Sequence, residues 1–555
     1  MTINDNVIDN LKVVKRNGKK VPFDTAKVAI AIKKGFDGTV HEEEETKYTA
    51  KDVQKVYQNV IKEIGKKYKD AEKIKIEEIQ DLIEEMLKKN KYEDVYEAFS
   101  DYRERRDKSR KLFSDEKKMH KFLKSLEGLG LKSAFEEDAK RENANIDGNS
   151  AMGTMLQYGS TVSKEFAKAY LMKKKFADAH ENGDIHIHDM DFLAMGTTTC
   201  MQIDLNKLFK NGFSTGHGHL REPQSINAYS ALAAIAVQSN QNDQHGGQSI
   251  PAFDFYMAPG VLKTFKKEYK QSLYELLDFT DFISFVNMDK VAQTIDKLNS
   301  ITVDLGIFEN FYKESKEVRR IFEKAYDTAI AKTDRATYQA MEAFVHNLNT
   351  MHSRAGAQVP FSSINFGTDT SPEGRMVMKN YLLSVDAGLG KNETPIFPIS
   401  IFKIKEGVNY NPGDPNYDLF KLSCKVSAKR LFPNFSFMDS PFNAQYYKGD
   451  FNTEVCYMGC RTRVIGNIVD PNKAITPGRG NLSFTSINLP RLGIKHGIVS
   501  NEKTDLDGFY KELGELMDLV CEQLLERFEI QCNKRLYNFP FLLEQGIWID
   551  SEKLK

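Results

Sequence analysis

Two neighbouring stretches decide the fold, and they run MGCRTRV over Met458–Val464 and GRGNLSFTSINLPRLG over Gly478–Gly493. In the first stretch, Cys460 follows a glycine and precedes a segment that contains two arginines. The second stretch opens on a glycine-rich return path and continues as the strand-like run Leu482–Leu489. The pattern predicts a loop that projects from a rigid scaffold and carries a thiol at its tip. Residues that bind or catalyse are concentrated on loops of this kind.

The bulk composition is that of a globular protein, because 41% of the 555 residues are hydrophobic and 28% are charged. This length predicts about two to four domains. The net charge is zero, which argues against a protein that binds nucleic acid through a basic field. The sequence has no run of about 18 apolar residues and no apolar signal-peptide core near its start. We therefore expect no membrane span and a cytoplasmic location.

Six cysteines stand at positions 200, 424, 456, 460, 521 and 532. Their spacing predicts neither a disulfide framework nor a paired CxxC zinc site. Cys456 and Cys460 are four residues apart, but the sequence offers no obvious second half for a zinc site. We therefore predict no metal centre from the cysteines.

Residues 13–32, VVKRNGKKVPFDTAKVAIAI, predict a basic β-hairpin followed by a helix. Asn17-Gly18 is a strong signal for a tight hairpin turn. Lys15 and Arg16 stand near the expected helix start, and cations beside a helix N-terminus can hold a polyphosphate. The residues alone leave open whether this is a nucleotide site or a solvated basic hairpin.

The rest of the chain divides by composition near residue 146, where a Lys-rich, highly charged region gives way to one richer in Gly, Ser, Thr and Asn. Apolar periodicity predicts helices over Thr25–Phe36, Thr49–Tyr68, Ile74–Leu87, Pro223–Gln238, Tyr269–Asn287 and Phe308–Met351. Short apolar runs predict strands over Gly183–Asp191, Ile396–Ile404 and Gly480–Leu489. Strands that alternate with helices predict an α/β domain after residue 146.

A further motif, NGDIHIHDMDFLAMGTTTCMQIDL, covers Asn182–Leu205. His186 and His188 point the same way on a strand because side chains alternate with period two. This HxH spacing also suits a metal, although the sequence shows no second cluster of histidines and carboxylates to complete a centre. Cys200 follows in the same motif, and a lone cysteine is commonly a small buried hydrophobe.

Residues 225–261, SINAYSALAAIAVQSNQNDQHGGQSIPAFDFYMAPGV, join an Ala-rich helix to a polar turn. The Gly246-Gly247 pair permits a close backbone approach to a ligand. The amide-rich run Gln238–Gln248 supplies neutral donors and acceptors suited to a nucleobase or a ribose. A plain polar turn after a buried helix remains the alternative.

Taken together, these segments resemble the anaerobic (class III) ribonucleotide reductase family, and the motif at residues 13–32 with the helices of residues 76–106 resembles its ATP-cone. The resemblance implies an α/β protein in which a small α+β ATP-cone precedes a partial ten-stranded α/β barrel of the type shared with glycyl-radical enzymes. The implied domains are the cone at 11–106, a helical connector at 107–145, and a catalytic barrel at 146–555 that is incomplete at its C-terminus.

The family's functional residues carry over to matching positions of this sequence. Cys460 would be the thiyl site that takes the 3′-hydrogen of the ribose, Cys200 the reducing cysteine, and Asn481 the amide that orients substrate hydroxyls. The implied substrate-binding residues are His186, His188, Arg461 and Ser483, and Arg463 and Arg479 are further phosphate candidates. The implied effector residues of the cone are Val14, Lys15, Arg16, Gly18 and Lys27.

The resemblance also implies partners and cofactors. The substrates would be ribonucleoside triphosphates, reduced to 2′-deoxyribonucleotides, and ATP and dATP would act as effectors with Mg²⁺. A radical-SAM activating enzyme would generate a glycyl radical, and that glycine and a zinc site are expected only on a C-terminal segment that is absent from this sequence. Gly466, in an RVIG run close to Cys460, is not the expected radical site. We expect a homodimer and a possible separate C-terminal polypeptide, and the reductant, formate or a thiol system, stays open.

Two alternatives remain from the sequence. The chain could be a catalytically inactive or split fragment that acts as a nucleotide-binding regulatory subunit, which the absent radical segment favours. It could instead be an HxH metallohydrolase, which a tightly bound metal would favour.

Overall fold

The computed structural model describes residues 11–15, 18–39, 47–114, 150–312, 315–354, 358–459, 462–498 and 504–554. The chain forms two compact units, one of residues 1–124 with 168–172 and the other of residues 125–167 with 173–555. Most of the predicted connector at 107–145 lies outside the described residues, so the predicted domain boundaries remain predictions. Among the described helices, none combines the length and apolar character needed to cross a bilayer.

The N-terminal unit is a small three-stranded sheet covered by four helices. Its elements are β1 (Lys12–Val14), β2 (Lys20–Pro22), α1 (Thr25–Asp37), α2 (Ala50–Lys67), β3 (Lys73–Lys75), α3 (Ile76–Lys89) and α4 (Glu93–Ser114). The strand order is β2-β1-β3, with β1 antiparallel to β2 and parallel to β3. Ile32, Val60 and Leu87 belong to a core that this unit builds from its own side chains. The predicted basic hairpin and the helix that follows it are confirmed.

The larger unit alternates strands with helices. Its first elements are α5 (Ala151–Phe166), α6 (Lys174–Glu181), β4 (Ile185–Ile187), β5 (Cys200–Gln202), α7 (Leu205–Asn211), β6 (Phe213–Ser214), β7 (His219–Leu220), α8 (Ile226–Asn240), β8 (Gln248–Ile250), α9 (Phe253–Phe279), α10 (Met288–Asp296), α11 (Lys316–Thr350) and β9 (Ser362–Phe366). A π-helical turn at Ala167–Leu171 follows α5, and single-turn helices lie at Glu309–Tyr312 and Pro441–Ala444.

The remaining elements complete the sheet and its inner hairpin. They are α12 (Pro372–Ala387), β10 (Ile399–Ile404), α13 (Tyr417–Arg430), β11 (Asn434–Phe437), β12 (Cys456–Met458), β13 (Thr462–Val464), β14 (Gly480–Asn481), β15 (Thr485–Ile487), α14 (Leu489–Lys495) and α15 (Leu506–Cys532). The main sheet has the order β11-β10-β9-β8-β5-β14. Its first five strands are parallel, and β14 runs antiparallel to β5.

The two faces of the main sheet carry different side chains. Met201, Ile250 and Ile364 lie on the outer face and join the large apolar core formed with the helices. The opposite, inner face is covered by the β12–β13 hairpin, whose Met458 and Val464 pack against Cys200. An open parallel sheet with helices outside and a hairpin inside agrees with the predicted partial α/β barrel, and the α/β class is confirmed.

Several predicted elements differ from the structure. Ile74 lies in β3 and not in the helix after it, the strand expected at Gly183–Asp191 is only β4, and the helix expected at Phe308–Met351 is a single turn followed by α11. Two further differences are larger. The helix expected at Tyr269–Asn287 begins much earlier, at Phe253, and contains Pro259 in its interior. The single strand expected at Gly480–Leu489 is two short strands, because β14 pairs with β5 whereas β15 pairs with β4. For the two strands, the deciding contacts come from residues distant in the sequence, which local periodicity does not reveal.

Candidate active site and effector pocket

The predicted projecting loop is a β-hairpin. β12 and β13 pair antiparallel with Cys456 opposite Val464 and Met458 opposite Thr462. These strands flank residues 459–461, of which Cys460 and Arg461 lie outside the described residues. The roles of Cys460 and Arg461 therefore stay predictions, whereas the hairpin that carries them has a defined place on the sheet.

Cys200 lies under this hairpin on β5, with 3% of its surface exposed. Its Sγ accepts a hydrogen bond from the Gly247 N–H at 3.2 Å. A Cβ at Gly246 would collide with the Thr199 carbonyl and would stand 2.9 Å from Cys200 Sγ. The glycine pair thus allows the backbone to approach β5 and the thiol, and this approach explains the two glycines without a ligand.

Asn481 stands beside Cys200, although 281 positions separate them in the sequence. β14 places Asn481 directly opposite Cys200 and Gly480 opposite Met201. The Asn481 carbonyl accepts from the Thr199 N–H at 3.0 Å. Ser483 follows two residues later and is half-buried. The structure therefore brings one predicted thiol and the predicted orienting amide to the same edge of the sheet.

His186 and His188 lie side by side at the end of β4, as strand periodicity predicts. Their ring centroids are 4.5 Å apart, and His188 Nε2 is 2.8 Å from the Ser486 hydroxyl on β15. Burial, with smaller contributions from His186 and Arg527, lowers the pKa of His188. Within the described residues, no group of three His, Cys, Asp or Glu side chains is arranged to hold a metal ion.

The two remaining predicted arginines differ in their surroundings. Arg463 stacks over Phe442, with its guanidinium carbon 5.1 Å from the ring centroid, and donates to the Phe442 carbonyl. Arg479 is half-buried, and this burial lowers its pKa. Arg479 is thus a partly buried cation beside β14, whereas the Arg463 guanidinium already contacts Phe442.

A buried histidine that sequence reasoning missed lies close to Cys200 in the fold. His245 precedes the glycine pair, and its Nδ1 is 2.6 Å from the Thr197 hydroxyl. Burial lowers the pKa of His245 to about 2, with Arg527 and Arg354 acting in the same direction, so the imidazole is neutral. The only sequence signal was a histidine inside the amide-rich run before Gly246.

The N-terminal unit contains a cavity of about 780 Å³. Its lining residues are Val14, Lys15, Gly18, Lys75, Glu77, Glu84, Ser100, Arg103 and Asp107. Three of the five predicted effector residues are among them. Arg16 lies outside the described residues, and Lys27 pairs with Asp24 at 3.3 Å on the first turn of α1.

Arg103 is a further cation of this cavity, and it is not among the effector residues predicted from the sequence. Its guanidinium contacts Asp81 at 2.6 Å and Glu84 at 3.2 Å. The residue lies in the helical stretch that resembles the closing part of an ATP-cone, which was the available signal. With Lys15 and Lys75 it gives the cavity three cations from three different elements.

The larger unit has a second cavity, of about 710 Å³, beside α9 and α10. Its lining includes four lysines of α9, at Lys263, Lys266, Lys267 and Lys270. Lys263 contacts Glu222 at 2.5 Å and Lys270 contacts Asp296 at 2.7 Å. Because Asp289 and Asp296 also line it, the cavity has a moderate positive charge, part of which is already paired.

Comparison with known proteins agrees with both units. The sequence profile described as "Anaerobic ribonucleoside-triphosphate reductase" matches residues 142–555, and the profile described as "ATP cone domain" matches residues 11–108. The chain belongs to the anaerobic ribonucleoside-triphosphate reductase family. The resemblance stated from the sequence is confirmed.

Among its relatives, the anaerobic ribonucleoside-triphosphate reductase of Haemophilus influenzae is 27% identical over 97% of this chain and 66% of its own length. The Escherichia coli protein is 28% identical over 93% of this chain and 62% of its own. The protein of Enterobacteria phage T4 is 30% identical over 76% of this chain and 61% of its own. The chain thus spans less than two thirds of the length of these relatives.

Solved structures of the same family are also similar. A crystal structure of the anaerobic ribonucleotide reductase from Thermotoga maritima in complex with dATP and CTP has a TM-score of 0.49 and 16% identity, covering 80% of this chain and 65% of that one. The same enzyme with glycerol in the active site has a TM-score of 0.48 and 14% identity, covering 79% and 66%.

Proposed function

We propose that this chain carries the thiyl-radical site of an anaerobic ribonucleotide reductase, which reduces ribonucleoside triphosphates to 2′-deoxyribonucleotides. One observation supports this most directly: β5 and β14 place Cys200 opposite Asn481, and both strands of the hairpin that flanks Cys460 pack on Cys200. Such a reaction needs three groups at one place: the thiol of Cys200, the thiol of Cys460 on the hairpin and the neutral amide of Asn481.

In the proposed reaction, the sulfur radical of Cys460 takes the 3′-hydrogen of the ribose. A radical source, by resemblance a glycyl radical made with a radical-SAM activating enzyme, supplies the oxidising equivalent. The 2′-hydroxyl then leaves as water, which takes two hydrogen atoms in all: Cys200 supplies one, an external reductant, formate or a thiol system, supplies the other, and Cys460 returns the 3′-hydrogen. Asn481 hydrogen-bonds the ribose hydroxyls without itself being easily oxidised, and Arg479 meets the phosphates.

The assignment can be tested without an activity assay, because it requires the thiols of Cys200 and Cys460 to lie close together. Diamide, a two-electron oxidant, should take one hydrogen from each thiol of the full chain and leave a Cys200–Cys460 disulfide, identified by mass spectrometry of the digest. The Cys460→Ser variant should form no crosslink to Cys200, and the exposed Cys424 serves as a control. A crosslink from Cys200 to another cysteine instead would contradict the proposed pair.

We further propose that the cavity of the N-terminal unit binds ATP or dATP, with Mg²⁺, as an activity effector. Lys15 directly after β1, Lys75 on β3 and Arg103 on α4 supply positive charge for the phosphates, and charge-assisted bonds to phosphate are strong. Glu77, Glu84 or Asp107 would face the metal ion.

The basic cavity beside α9 suits the phosphates of a second nucleotide effector. Titration of dATP into the full chain by calorimetry should then show two sites. Lys15→Ala should weaken one of them and Lys266→Ala the other, each by roughly 10-fold, because a charge-assisted hydrogen bond contributes about 1.5–3 kcal/mol. Lys89→Ala should change neither, since Lys89 lies outside the cavity lining and pairs with Glu85 on α3. A single site that Lys15→Ala leaves unchanged would exclude the cone assignment.

The homodimer, the activating enzyme and a separate C-terminal polypeptide remain proposals of the same kind. No observation on the described residues favours the metallohydrolase alternative. Elemental analysis of the chain, purified without chelator, would revive it by finding a stoichiometric metal that is lost on His186→Ala.

A further inference from the structure

The inner face of the main sheet is lined with polar side chains where strands of this kind usually carry apolar ones. Gln202 on β5, Ser249 on β8 and Ser363 on β9 form one row across three neighbouring strands. Asn365 lies two residues further along β9 and therefore points to the same face. All four are at most 1% exposed. Buried polar groups are costly unless they are hydrogen-bonded, so these side chains need partners.

Their partner is the backbone of the hairpin. The Tyr457 N–H donates to Asn365 Oδ1 at 2.8 Å, and Asn365 Nδ2 donates back to the Tyr457 carbonyl at 2.8 Å. The same carbonyl accepts from the Ser249 hydroxyl at 3.0 Å and from Gln202 Nε2 at 3.3 Å. One residue of β12 is thus held by side chains from three strands of the sheet.

A second contact lies closer to the tip. The Gly459 N–H donates to the Ser363 hydroxyl at 3.1 Å. A Cβ at Gly459 would collide with the Phe361 ring, and a Cβ at Gly247 would stand 3.5 Å from Gly459 Cα. The last described residue before Cys460 is therefore fixed against β9 and the glycine pair.

The base of the hairpin is held independently by a buried ion pair. Glu454 precedes β12 and contacts Lys403 at 3.0 Å and Lys405 at 3.4 Å. The Cys456 thiol donates to the Pro251 carbonyl at 3.3 Å. Between this anchored base and Gly459, Tyr457 is the residue of β12 whose N–H and carbonyl are both hydrogen-bonded to one side chain of the sheet.

We propose that Asn365 is a positioning residue for the radical site: by clamping both peptide groups of Tyr457 it sets the height of the hairpin, and with it the distance between Cys460 and Cys200. The residue type follows from the geometry. An amide offers both N–H donors and a carbonyl acceptor, so it replaces the neighbouring strand that β12 lacks on this side in the described sheet. A carboxylate can only accept, and a leucine can do neither. This inference rests on the proposed function only where it assumes that Cys200 and Cys460 act at the same site.

The clamp itself is tested by hydrogen exchange in the full chain. Asn365→Leu should raise exchange in the peptide that covers residues 456–464 by roughly 10-fold, because two hydrogen bonds are lost. Asn380→Leu is the matched control, since Asn380 is an equally buried asparagine that bonds to Asp334 on the outer helices. It should leave this peptide unchanged. Equal protection of the peptide in wild type and Asn365→Leu would overturn the clamp.

The positioning role is tested by the diamide reaction. The Cys200–Cys460 disulfide should form roughly 10-fold more slowly in Asn365→Leu than in wild type or in Asn380→Leu, at equal thermal stability of the fold. An unchanged rate would overturn the role. A wild-type chain that forms no such disulfide would count against the proposed function, and the exchange measurement would still decide the clamp.

The pH dependence of the crosslinking rate in a second variant, Asn365→Asp, distinguishes a positioning role from a loss of fold. It also provides a test if Asn365→Leu does not fold. In Asn365→Asp, burial raises the pKa of the new carboxyl, so at low pH it is neutral and can donate to the Tyr457 carbonyl. The crosslinking rate, relative to wild type at the same pH, should be close to one at pH 5 and fall as pH rises. A ratio that does not depend on pH would contradict the assignment.

Discussion

At the scale of single residues, the buried ion pair of Glu454 with Lys403 makes the stability of the fold depend on pH in a direction that can be measured. Burial opposes ionisation of Glu454, but Lys403 and Lys405 outweigh it and hold the pKa of this carboxyl below its ordinary value. A lowered folded-state pKa adds stability that is present above the unfolded pKa of about 4.3 and is lost as pH falls through the folded value.

The Glu454→Gln variant should therefore lose about 3–5 kcal/mol of unfolding free energy at pH 7, because Lys403 remains buried without its counter-ion. The deficit relative to wild type should shrink as pH falls below about 4. Denaturant unfolding at both pH values measures this. Glu222→Gln, which removes an exposed partner of Lys263, should cost only about 0–1 kcal/mol. If the loss of unfolding free energy in Glu454→Gln grew on acidification, the pKa of Glu454 would not be lowered in the folded state.

At the scale of elements, the approach of the glycine pair to β5 decides whether the sheet closes around Cys200. Gly246→Ala should disrupt the pairing of β5 with β8 and lower the melting temperature, since the added Cβ collides with the Thr199 carbonyl. Gly514→Ala is the matched control, because Gly514 lies in α15 with nothing within 4 Å of its added Cβ. It should raise stability by about 0.5–1 kcal/mol. Thermal unfolding of both variants tests the contrast, and equal effects would refute it.

The same scale shows what sequence alone could provide. The helix predicted over Thr49–Tyr68 is present as α2, and a capping box of Thr49 and Asp52 begins it. The hairpin at Gly18 and the strand ending at Ile404 were also predicted correctly. The division of Gly480–Leu489 into two strands was not predictable, because their partners β5 and β4 lie almost 300 residues earlier and local pattern carries no information on such pairing.

For the candidate site, recognised motifs supplied the residues that we propose to perform the chemistry, but not the residues that hold the hairpin in place. Cys200 and Asn481 were named from the sequence, and the structure places them opposite each other. Asn365 and Gln202 were missed, although polar residues inside strands that are otherwise buried were visible. Their meaning depends on which backbone crosses the sheet above them, and only the folded chain shows this.

At the scale of the whole molecule, the two units have separate apolar cores. Calorimetry of the full chain should therefore show two unfolding transitions, and saturating ATP should raise only the one that belongs to the N-terminal unit, because a ligand stabilises the state that binds it. A fragment of residues 1–114 should reproduce that transition and its shift. A single cooperative transition for the full chain would show that the units do not unfold independently.

The side-chain clamp on Tyr457 has a consequence for how such a site can change over time. Strand pairing fixes a segment through its neighbours, so moving that segment means rebuilding the sheet. A segment held by a few side chains can be raised, lowered or tilted by single substitutions while every strand stays in place. The spacing of the two thiols is thus adjustable one residue at a time, separately from the scaffold, and protein engineers could tune it at positions 202, 249, 363 and 365 without redesigning the fold.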